Sequence, residues 1–132
     1  MRVQDGDTLT VLDQGRTQHR IRLSAIDAPE LGQPYGRAAR HVLAELVAGK
    51  VVEIDDRGTD RYGRTIGVVL IGGQNVNRDM VRQGAAWAYL QYLDDPVLVE
   101  LEAEARAAVR GLWALQDDQI QAPWEWRRKR RG

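Results

Sequence analysis

The sequence contains no cysteine, so neither disulfide bonds nor thiolate metal ligands are available to it. No apolar run approaches the roughly 20 residues that a transmembrane helix needs, and the first residues lack the apolar core of a signal peptide. A strand pattern begins almost at residue 1, and we therefore expect that a natural leader, if there is one, is missing from this chain. Its 132 residues are the length of one domain.

The chain also has no net charge at pH 7, but its charge is unevenly distributed. Residues 127–131 supply five of the 19 positive charges, which leaves residues 1–126 with a net charge of −5. We therefore divide the chain into a domain over residues 1–122 and a basic C-terminal tail over residues 123–132. Such a tail is typical either of an arm that binds nucleic acid or of a disordered, solvated chain end.

An alternating strand that leads to two carboxylates is the central feature of the sequence. Ile21, Leu23 and Ala25 share one face at a period of two, as in a half-buried strand. Asp27 continues this apolar face, and Glu30 follows beyond a proline that ends the strand. Because a buried, unpaired charge costs several kcal/mol, Asp27 needs a metal cation, an arginine or a proton.

An Asp-Gly-Asp motif at residues 5–7 leads into another short alternating strand. Its second carboxylate, Asp7, has the parity of the apolar residues Leu9 and Val11 and therefore faces the core. Asp7 and Asp27 thus stand at the ends of two strands that a hairpin would join. Two inward carboxylates on neighbouring strands can hold a hard cation such as Ca²⁺, although a short Asp-Gly-Asp sequence by itself is more often a turn.

The rest of the chain alternates between helix and strand patterns, which favours an α+β fold, mainly β, with about three packed helices. The predicted helices cover residues 34–49, 77–83 and 95–111, and further strands are predicted at residues 51–54, 65–71 and 75–76. Asn77 is the predicted N-cap of the second helix. Gly67 lies in mid-strand, where it indicates a bulge or a sharp bend.

A polar loop after the third predicted strand places a tyrosine between two arginines. Arg61 and Arg64 could each be an ordinary exposed side chain, but arginine offers a planar fork that matches two phosphate oxygens. Tyr62 adds a ring on which a base can stack. Tyr89 and Tyr92 form a second aromatic group, which can either pack in the core or contact a ligand.

Four motifs resemble, in order and spacing, the staphylococcal nuclease (thermonuclease) family. They are Asp5-Gly6-Asp7-Thr8, the segment from Arg22 to Asp27-Ala28-Pro29-Glu30, then Asp60-Arg61-Tyr62-Gly63-Arg64, and finally Val76-Asn77 with Val81-Arg82-Gln83-Gly84. The resemblance covers roughly residues 3–92, and the stretch from Asp95 to Trp113 is similar to the family's terminal helix. It implies a five-stranded OB-fold barrel with packed helices, which agrees with the predicted order of elements.

The resemblance also implies a calcium-dependent phosphodiesterase that cleaves DNA and RNA, single-stranded or unpaired, and leaves 3′-phosphate ends. Asp7 and Asp27 would be carboxylate ligands of Ca²⁺. The backbone carbonyl of Ala28 would be a further ligand. Glu30 would be the general base that positions or deprotonates the attacking water.

The same resemblance assigns residues to the phosphate and to the nucleotide. Arg22 and Arg64 would clamp the phosphate as charge builds on it. The positions that match nucleotide contacts are Arg61, Tyr62, Tyr89 and Tyr92. Strand parity, by contrast, places Arg22 on the face opposite to Ile21 and Leu23, so only the resemblance brings it to the carboxylates. We expect a monomer with no membrane partner, and the family expectation for location is secretion or the cell envelope.

The alternative prediction is a non-catalytic OB-type module that binds nucleic acid, since nuclease-like domains can lose their sites and keep the barrel. A purely structural or protein-interaction barrel is a third hypothesis. Degeneration would be expected to remove some of the site residues Asp7, Arg22, Asp27, Glu30 and Arg64. All of them are present, which favours the nuclease.

Overall fold

The structure, a computed structural model that describes residues 1–131, contains eight strands, four α-helices and three short 3₁₀ turns in that range. The strands are β1 (Arg2–Asp5), β2 (Thr8–Leu12), β3 (Gln18–Leu23), β4 (Ile26–Asp27), β5 (Glu53–Thr59), β6 (Thr65–Ile71), β7 (Gln74–Asn75) and β8 (Trp87–Ala88). The helices are α1 (Gly36–Val47), α2 (Val76–Arg82), α3 (Val97–Ala107) and α4 (Pro123–Arg131). Within these residues, no helix combines the length and the apolar character that a membrane crossing requires.

The main sheet has six strands: five lie in the order β1-β2-β3-β6-β5, and β7 pairs with β6. β3 and β6 are parallel, and the other neighbours in this order are antiparallel. The predicted α+β fold is confirmed, and the strand order is consistent with an OB-type barrel. In the described part of the chain no ladder joins β5 to β1, so the barrel is not closed by hydrogen bonds.

The apolar faces of strands and helices meet in one main core. Ile21 and Leu23 of β3 and Leu43 of α1 are almost completely buried in the same cluster. Burial of each such side chain stabilises the fold by about 1.5–3 kcal/mol. The strand and helix periods in the sequence therefore predict correctly which faces of these elements turn inward.

The strand that leads to Asp27 is interrupted, whereas the sequence predicts a continuous one. β3 ends at Leu23, and Ala25 adopts a left-handed φ of 64°. The chain then turns into β4, which pairs with β8 and not with the main sheet. Asp27 is fully buried, so the expectation that it faces the core holds although the path of the chain to it differs.

The buried side chain of Asn77 holds the turn between β3 and β4 in place by hydrogen bonds. Its side-chain nitrogen donates to the carbonyls of Ser24 and Gly67, and its side-chain oxygen accepts from the N–H of Val69 at 3.0 Å. The predicted cap role of Asn77 is therefore wrong. The N-cap of α2 is Asn75, whose side chain accepts from the N–H at the third helical position.

The predicted elements differ from the observed ones mainly at their ends. β5 begins two residues later than predicted, and Val51 is 92% exposed. The bulge lies in β5 between Asp56 and Gly58, opposite Gly67 and not at it. Gly67 instead permits close packing, because a Cβ there would lie 2.7 Å from the side chain of Ile54. α3 ends at Ala107, short of the predicted end at residue 111.

The basic C-terminal tail is helical. Residues 123–131 form α4, which begins at the buried Pro123 and carries its cationic side chains in the last turns. The tail is therefore not the disordered, solvated chain end that was one of the two alternatives from the sequence. One cationic side chain of this helix has carboxylate partners in the body of the domain.

Candidate active site

Arg22 joins two of the predicted site carboxylates. Its Nη2 lies 3.6 Å from Oδ2 of Asp7 and 3.5 Å from Oδ1 of Asp27. Its Nη1 donates to the carbonyls of Leu23 and Ile26 at 2.7 and 2.9 Å. These bonds curl the side chain around the end of β3, so the expectation from strand parity that Arg22 points away from the carboxylates is wrong.

Asp7 is buried and held by several hydrogen bonds. Its Oδ2 accepts from the backbone N–H of Ala28 at 2.7 Å, and the hydroxyl of Thr8 donates to its Oδ1 at 3.1 Å. Burial opposes ionisation, but Arg22 and these hydrogen bonds outweigh it and hold the pKa of Asp7 below its usual range. Asp7 is therefore an anion near neutral pH.

Gly6 explains why the Asp-Gly-Asp motif needs a glycine. A Cβ at this position would lie 2.7 Å from the Cβ of Ala28 and 2.9 Å from that of Ala39. The motif therefore packs directly against α1 and the segment after β4. This contact brings Asp7 close to Ala28, a pairing that the sequence suggested only through the family resemblance.

Asp5 is a neighbouring carboxyl group that the sequence analysis did not assign to the site. Its Oδ1 accepts from the N–H of Asp7 at 3.0 Å. Burial, followed by the negative charge of Asp7, raises the pKa of Asp5 to about 7. Its proximity to Asp7 in the motif was visible in the sequence, but its burial was not.

Asp27 has a second arginine partner, Arg127 of α4. Nη2 and Nη1 of Arg127 lie 2.7 and 3.1 Å from the two carboxylate oxygens of Asp27. Nη1 also donates to Oε1 of Glu30 at 2.8 Å. The side chain of Arg127 thus bridges two predicted site residues. The sequence left a cation, an arginine or a proton as partners of Asp27, and the structure supplies two arginines.

The pKa values in this bridge reflect both burial and charge. Burial raises the pKa of Asp27 to about 6, although hydrogen bonds and charge from Arg127 and Arg22 act against the rise. The hydrogen bonds to Asp27 raise the pKa of Arg127, which burial alone would lower. Arg127 is a site residue that the sequence analysis missed, because 100 positions separate it from Asp27.

Glu30 lies on a loop that two neighbours hold in place. Its N–H donates to the side-chain oxygen of Gln33 at 3.1 Å, and the side-chain nitrogen of Gln33 donates to the carbonyl of Gln121 at 2.6 Å. Gly36 packs so closely that a Cβ there would lie 1.8 Å from the carbonyl oxygen of Glu30. The carboxylate of Glu30 is partly exposed and within reach of solvent.

Arg64 is not brought to the carboxylates. Its Nε pairs with Oδ2 of Asp60 at 2.7 Å, and this is its ion pair within residues 1–131. Asp60 also accepts from the backbone N–H groups of Tyr62 and Arg64 at 2.9 Å, which organises the loop. The guanidinium carbons of Arg61 and Arg64 lie 5.1 and 5.5 Å from the ring centre of Tyr62, which is 58% exposed.

The second aromatic group is divided between core and surface. Trp87 packs edge-on against Trp113 with ring centres 4.6 Å apart, beside a small buried cluster of Ala105, Leu112 and Trp113. Tyr89 contacts Tyr92 edge-on at 5.1 Å and stacks on Trp124 of α4 at 5.2 Å. Tyr92 is 62% exposed. The tyrosines therefore lie where a ligand can reach them, but one face of Tyr89 is covered by α4.

The donor chemistry of the cluster fits a hard cation. The carboxylates of Asp7, Asp27 and Glu30 offer only oxygen donors, which Ca²⁺ prefers. In the structure the positively charged guanidinium of Arg127 contacts oxygens of both Asp27 and Glu30. Within residues 1–131, no three acidic, histidine or cysteine side chains already meet in an arrangement for a metal ion. The oxygens would therefore have to rearrange around an ion.

A cluster of carboxylates and arginines beside an OB-type sheet is the arrangement expected of a candidate active site. Comparison with known proteins identifies the family. The model of the family described as staphylococcal nuclease homologue matches residues 20–115. An Escherichia coli O157:H7 protein named as an uncharacterized endonuclease is 50% identical, over 98% of this chain and 84% of its own length.

Two further relatives have similar names and coverage. The micrococcal nuclease of Shigella flexneri is 45% identical, over 97% of this chain and 78% of its own length. A Haemophilus influenzae protein named as an uncharacterized endonuclease is 43% identical, over 98% of this chain and 71% of its own length. The chain therefore belongs to the staphylococcal nuclease family, and the resemblance seen in its motifs is confirmed.

Proposed function

We propose that the protein is a calcium-dependent nuclease that hydrolyses phosphodiester bonds of DNA and RNA. The observation that carries the proposal is the cluster in which Asp7, Asp27 and Glu30 meet the guanidinium groups of Arg22 and Arg127. Family membership and the nuclease names of the relatives support the same conclusion.

Asp7 and Asp27 are the residues that would hold Ca²⁺, with the carbonyl of Ala28 as a further ligand. The bound ion would supply positive charge against the phosphate as negative charge builds on it. Arg22 lies within 3.6 Å of both carboxylates, so its fork would donate to a phosphate oxygen at the same place. We assign Arg22 to this phosphate clamp.

Glu30 is the proposed general base. Its carboxylate would accept a proton from the attacking water while a new P–O bond forms and the bond from phosphorus to the 5′ oxygen breaks, and the departing 5′ oxygen would take up a proton from solvent. The products would be a 3′-phosphate and a 5′-hydroxyl. Since Arg127 donates to Oε1 of Glu30, Arg127 would have to release this oxygen before it could accept a proton from water.

Arg64 is the proposed second phosphate clamp. The loop that contains it, residues 60–64, is proposed to contact the nucleotide. Arg64 would exchange its bond to Asp60 for bonds to phosphate. The residues proposed to contact the nucleotide are Arg61, Tyr62, Tyr89 and Tyr92. Because stacking on a tyrosine needs an accessible base, we propose single-stranded or unpaired DNA and RNA as substrates.

Digestion of single-stranded DNA with Ca²⁺, with Mg²⁺ and with chelator tests the proposal. We expect cleavage with Ca²⁺, little with Mg²⁺, because loosely arranged carboxylates suit the larger ion, and none with chelator. Glu30→Gln should lower turnover by about 10² or more. Glu45→Gln, on the exposed side of α1, is the matched control and should leave the rate unchanged.

Equal rates with both ions would refute the choice of Ca²⁺, and a fully active Glu30→Gln variant would remove Glu30 from the mechanism. If the wild type binds single-stranded DNA but cleaves it under none of these conditions, the non-catalytic binding module becomes the better description. Gel filtration of the same preparation tests the expected monomer.

A further inference from the structure

α4 covers the candidate active site through two separate contacts. Arg127 donates to both carboxylate oxygens of Asp27 and to Oε1 of Glu30. One helical turn earlier, Trp124 stacks on Tyr89 with ring planes 3° apart and ring centres 5.2 Å apart. A single helix thus occupies both the carboxylates and an aromatic ring of the site.

These contacts fall on the residues to which the proposed function assigns the cation and the nucleotide. Arg127 brings a positive charge to the oxygens of Asp27, and Trp124 presents an aromatic face to Tyr89, as a stacked base would. We propose that α4 is an internal competitor of the site, which the cation and the nucleic acid must displace before cleavage. The inference rests on the proposed function for the identity of these two ligands.

Charge balance gives the reason why Arg127 and a divalent cation exclude each other. Asp7, Asp27 and Glu30 carry three negative charges when ionised. Arg22 and Arg127 compensate two of them in the structure. A divalent ion at the oxygens of Asp27 and Glu30 would lie a few ångströms from the guanidinium of Arg127, which contacts the same oxygens, and the like charges would repel each other. Departure of Arg127 removes this repulsion.

The composition of α4 makes its release possible. The helix has nine residues, fewer than the roughly 12–15 that an isolated helix needs to be even marginally stable in water. Its side chains at residues 128–131 are all cationic and exposed, so they add mutual repulsion and little packing. α4 therefore owes its order mainly to docking, and the buried Ala122 and Pro123 at its start anchor it to the domain.

Calorimetric titration of the full chain with Ca²⁺, without nucleic acid, tests the proposal. Arg127→Ala should bind Ca²⁺ about tenfold more tightly than the wild type, because the ion no longer has to displace a bound group. Arg128→Ala is the matched control: it removes the same charge from an exposed position of the same helix and should leave the affinity within about twofold.

Tryptophan fluorescence provides an independent readout of the stack. Addition of Ca²⁺ and a short single-stranded oligothymidine to the wild type should change the emission as Trp124 leaves Tyr89. Trp126 lies on the same helix and Trp124 also contacts Trp87 edge-on at 5.5 Å, so Trp124→Phe should reduce this change without abolishing it. Unchanged emission of the wild type at saturating Ca²⁺ and oligothymidine would show that Trp124 stays in place, and would overturn the release of α4.

Unchanged or weaker Ca²⁺ binding by Arg127→Ala would also overturn the proposal, because Arg127 would then be a permanent part of the site. If this variant does not fold, Arg127→Lys replaces the fork by a compact ammonium, and a several-fold gain in affinity is still expected. An unchanged affinity of the lysine variant refutes the competition equally.

The outcome is distinguishable from a failure of the proposed function. If Arg127→Ala binds Ca²⁺ more tightly but neither protein cleaves DNA, the nuclease proposal fails and the competition between Arg127 and the cation stands. If the wild type cleaves DNA and the Ca²⁺ affinity of the two proteins is equal, the competition fails and the nuclease proposal stands.

Discussion

Replacement of Asn77 by alanine should destabilise the protein severely, because its side-chain amide makes hydrogen bonds to the backbone of β6 and of the turn after β3 that a neighbouring strand would otherwise make. β3 is paired with β6 only as far as Gly67, and beyond that point the N–H of Val69 is bonded to the side-chain oxygen of Asn77. On its other side the amide donates to the carbonyls of Ser24 and Gly67. Asn77 is 2% exposed, so water cannot replace it without rearrangement.

The magnitude follows from the groups that lose their partner in Asn77→Ala. The carbonyl of Gly67 keeps the N–H of Ser24 at 2.8 Å, whereas the N–H of Val69 and the carbonyl of Ser24 are left unpaired. Each buried unpaired group costs about 1–3 kcal/mol, so the free energy of unfolding should fall by about 2–6 kcal/mol. For a chain of this size the melting temperature should fall by roughly 10 °C or more.

Urea denaturation and thermal melting in chelator measure this loss. Asn75→Ala is the matched control, because it removes one cap bond near the surface and should cost only about 1 kcal/mol. Asn77→Asp keeps the acceptor for Val69 but turns a carboxylate toward two carbonyls, so it should be at least as unstable at pH 8 and partly recover in acid, where it is protonated. If Asn77→Ala loses no more stability than Asn75→Ala, this interpretation of the turn is wrong.

Three further predictions concern residues around the site. Asp5→Asn should be more stable than the wild type by about 1 kcal/mol or more at pH 8 in chelator, and the difference should shrink as the pH falls toward 4. The pKa of Asp5 is raised to about 7 in the folded state, so the contribution of Asp5 to stability is lost as the pH rises through 7. A difference in melting temperature between the two proteins that stays constant from pH 4 to pH 8 would contradict this prediction. Gly36→Ala should lower the free energy of unfolding by roughly 2 kcal/mol or more through overpacking, because the added Cβ would lie 1.8 Å from the carbonyl oxygen of Glu30. Gly15→Ala is the control and should melt like the wild type, since its Cβ would lie 3.4 Å from the nearest atom. Arg64→Lys should cleave single-stranded DNA no faster than Arg64→Ala, because an ammonium lacks the bidentate fork, and rescue of the rate by lysine would show that only charge matters at this position.

The periodic parts of the fold were predictable from the sequence because their pattern is local. Alternation at Ile21 and Leu23, and the helical spacing that buries Ala39 and Leu43, identify the inward faces of β3 and α1. The burial of Asp27 was predicted from the same alternation and is observed, although the strand is interrupted at Ala25. Each of these predictions depends only on neighbours within one turn of helix or a few strand residues.

Element ends and turns were less predictable. The left-handed residue Ala25 ends β3 early, and no pattern marks it, since alanine rarely adopts a positive φ. Asn77 was mistaken for a cap because asparagine favours that position, whereas its role here depends on backbone groups of two other segments, the turn after β3 and strand β6. Local propensity predicts the kind of element better than the way elements are joined.

The sequence by itself determined that Asp7 and Asp27 face inward at strand ends, and its motifs identified the family. Only the tertiary structure decided what these carboxylates contact. Arg22 reaches them against its strand parity because its long side chain curls around the strand end to the carbonyls of Leu23 and Ile26. Arg127 reaches Asp27 across 100 positions of sequence, and such a contact depends on how α4 packs, which no period or motif encodes.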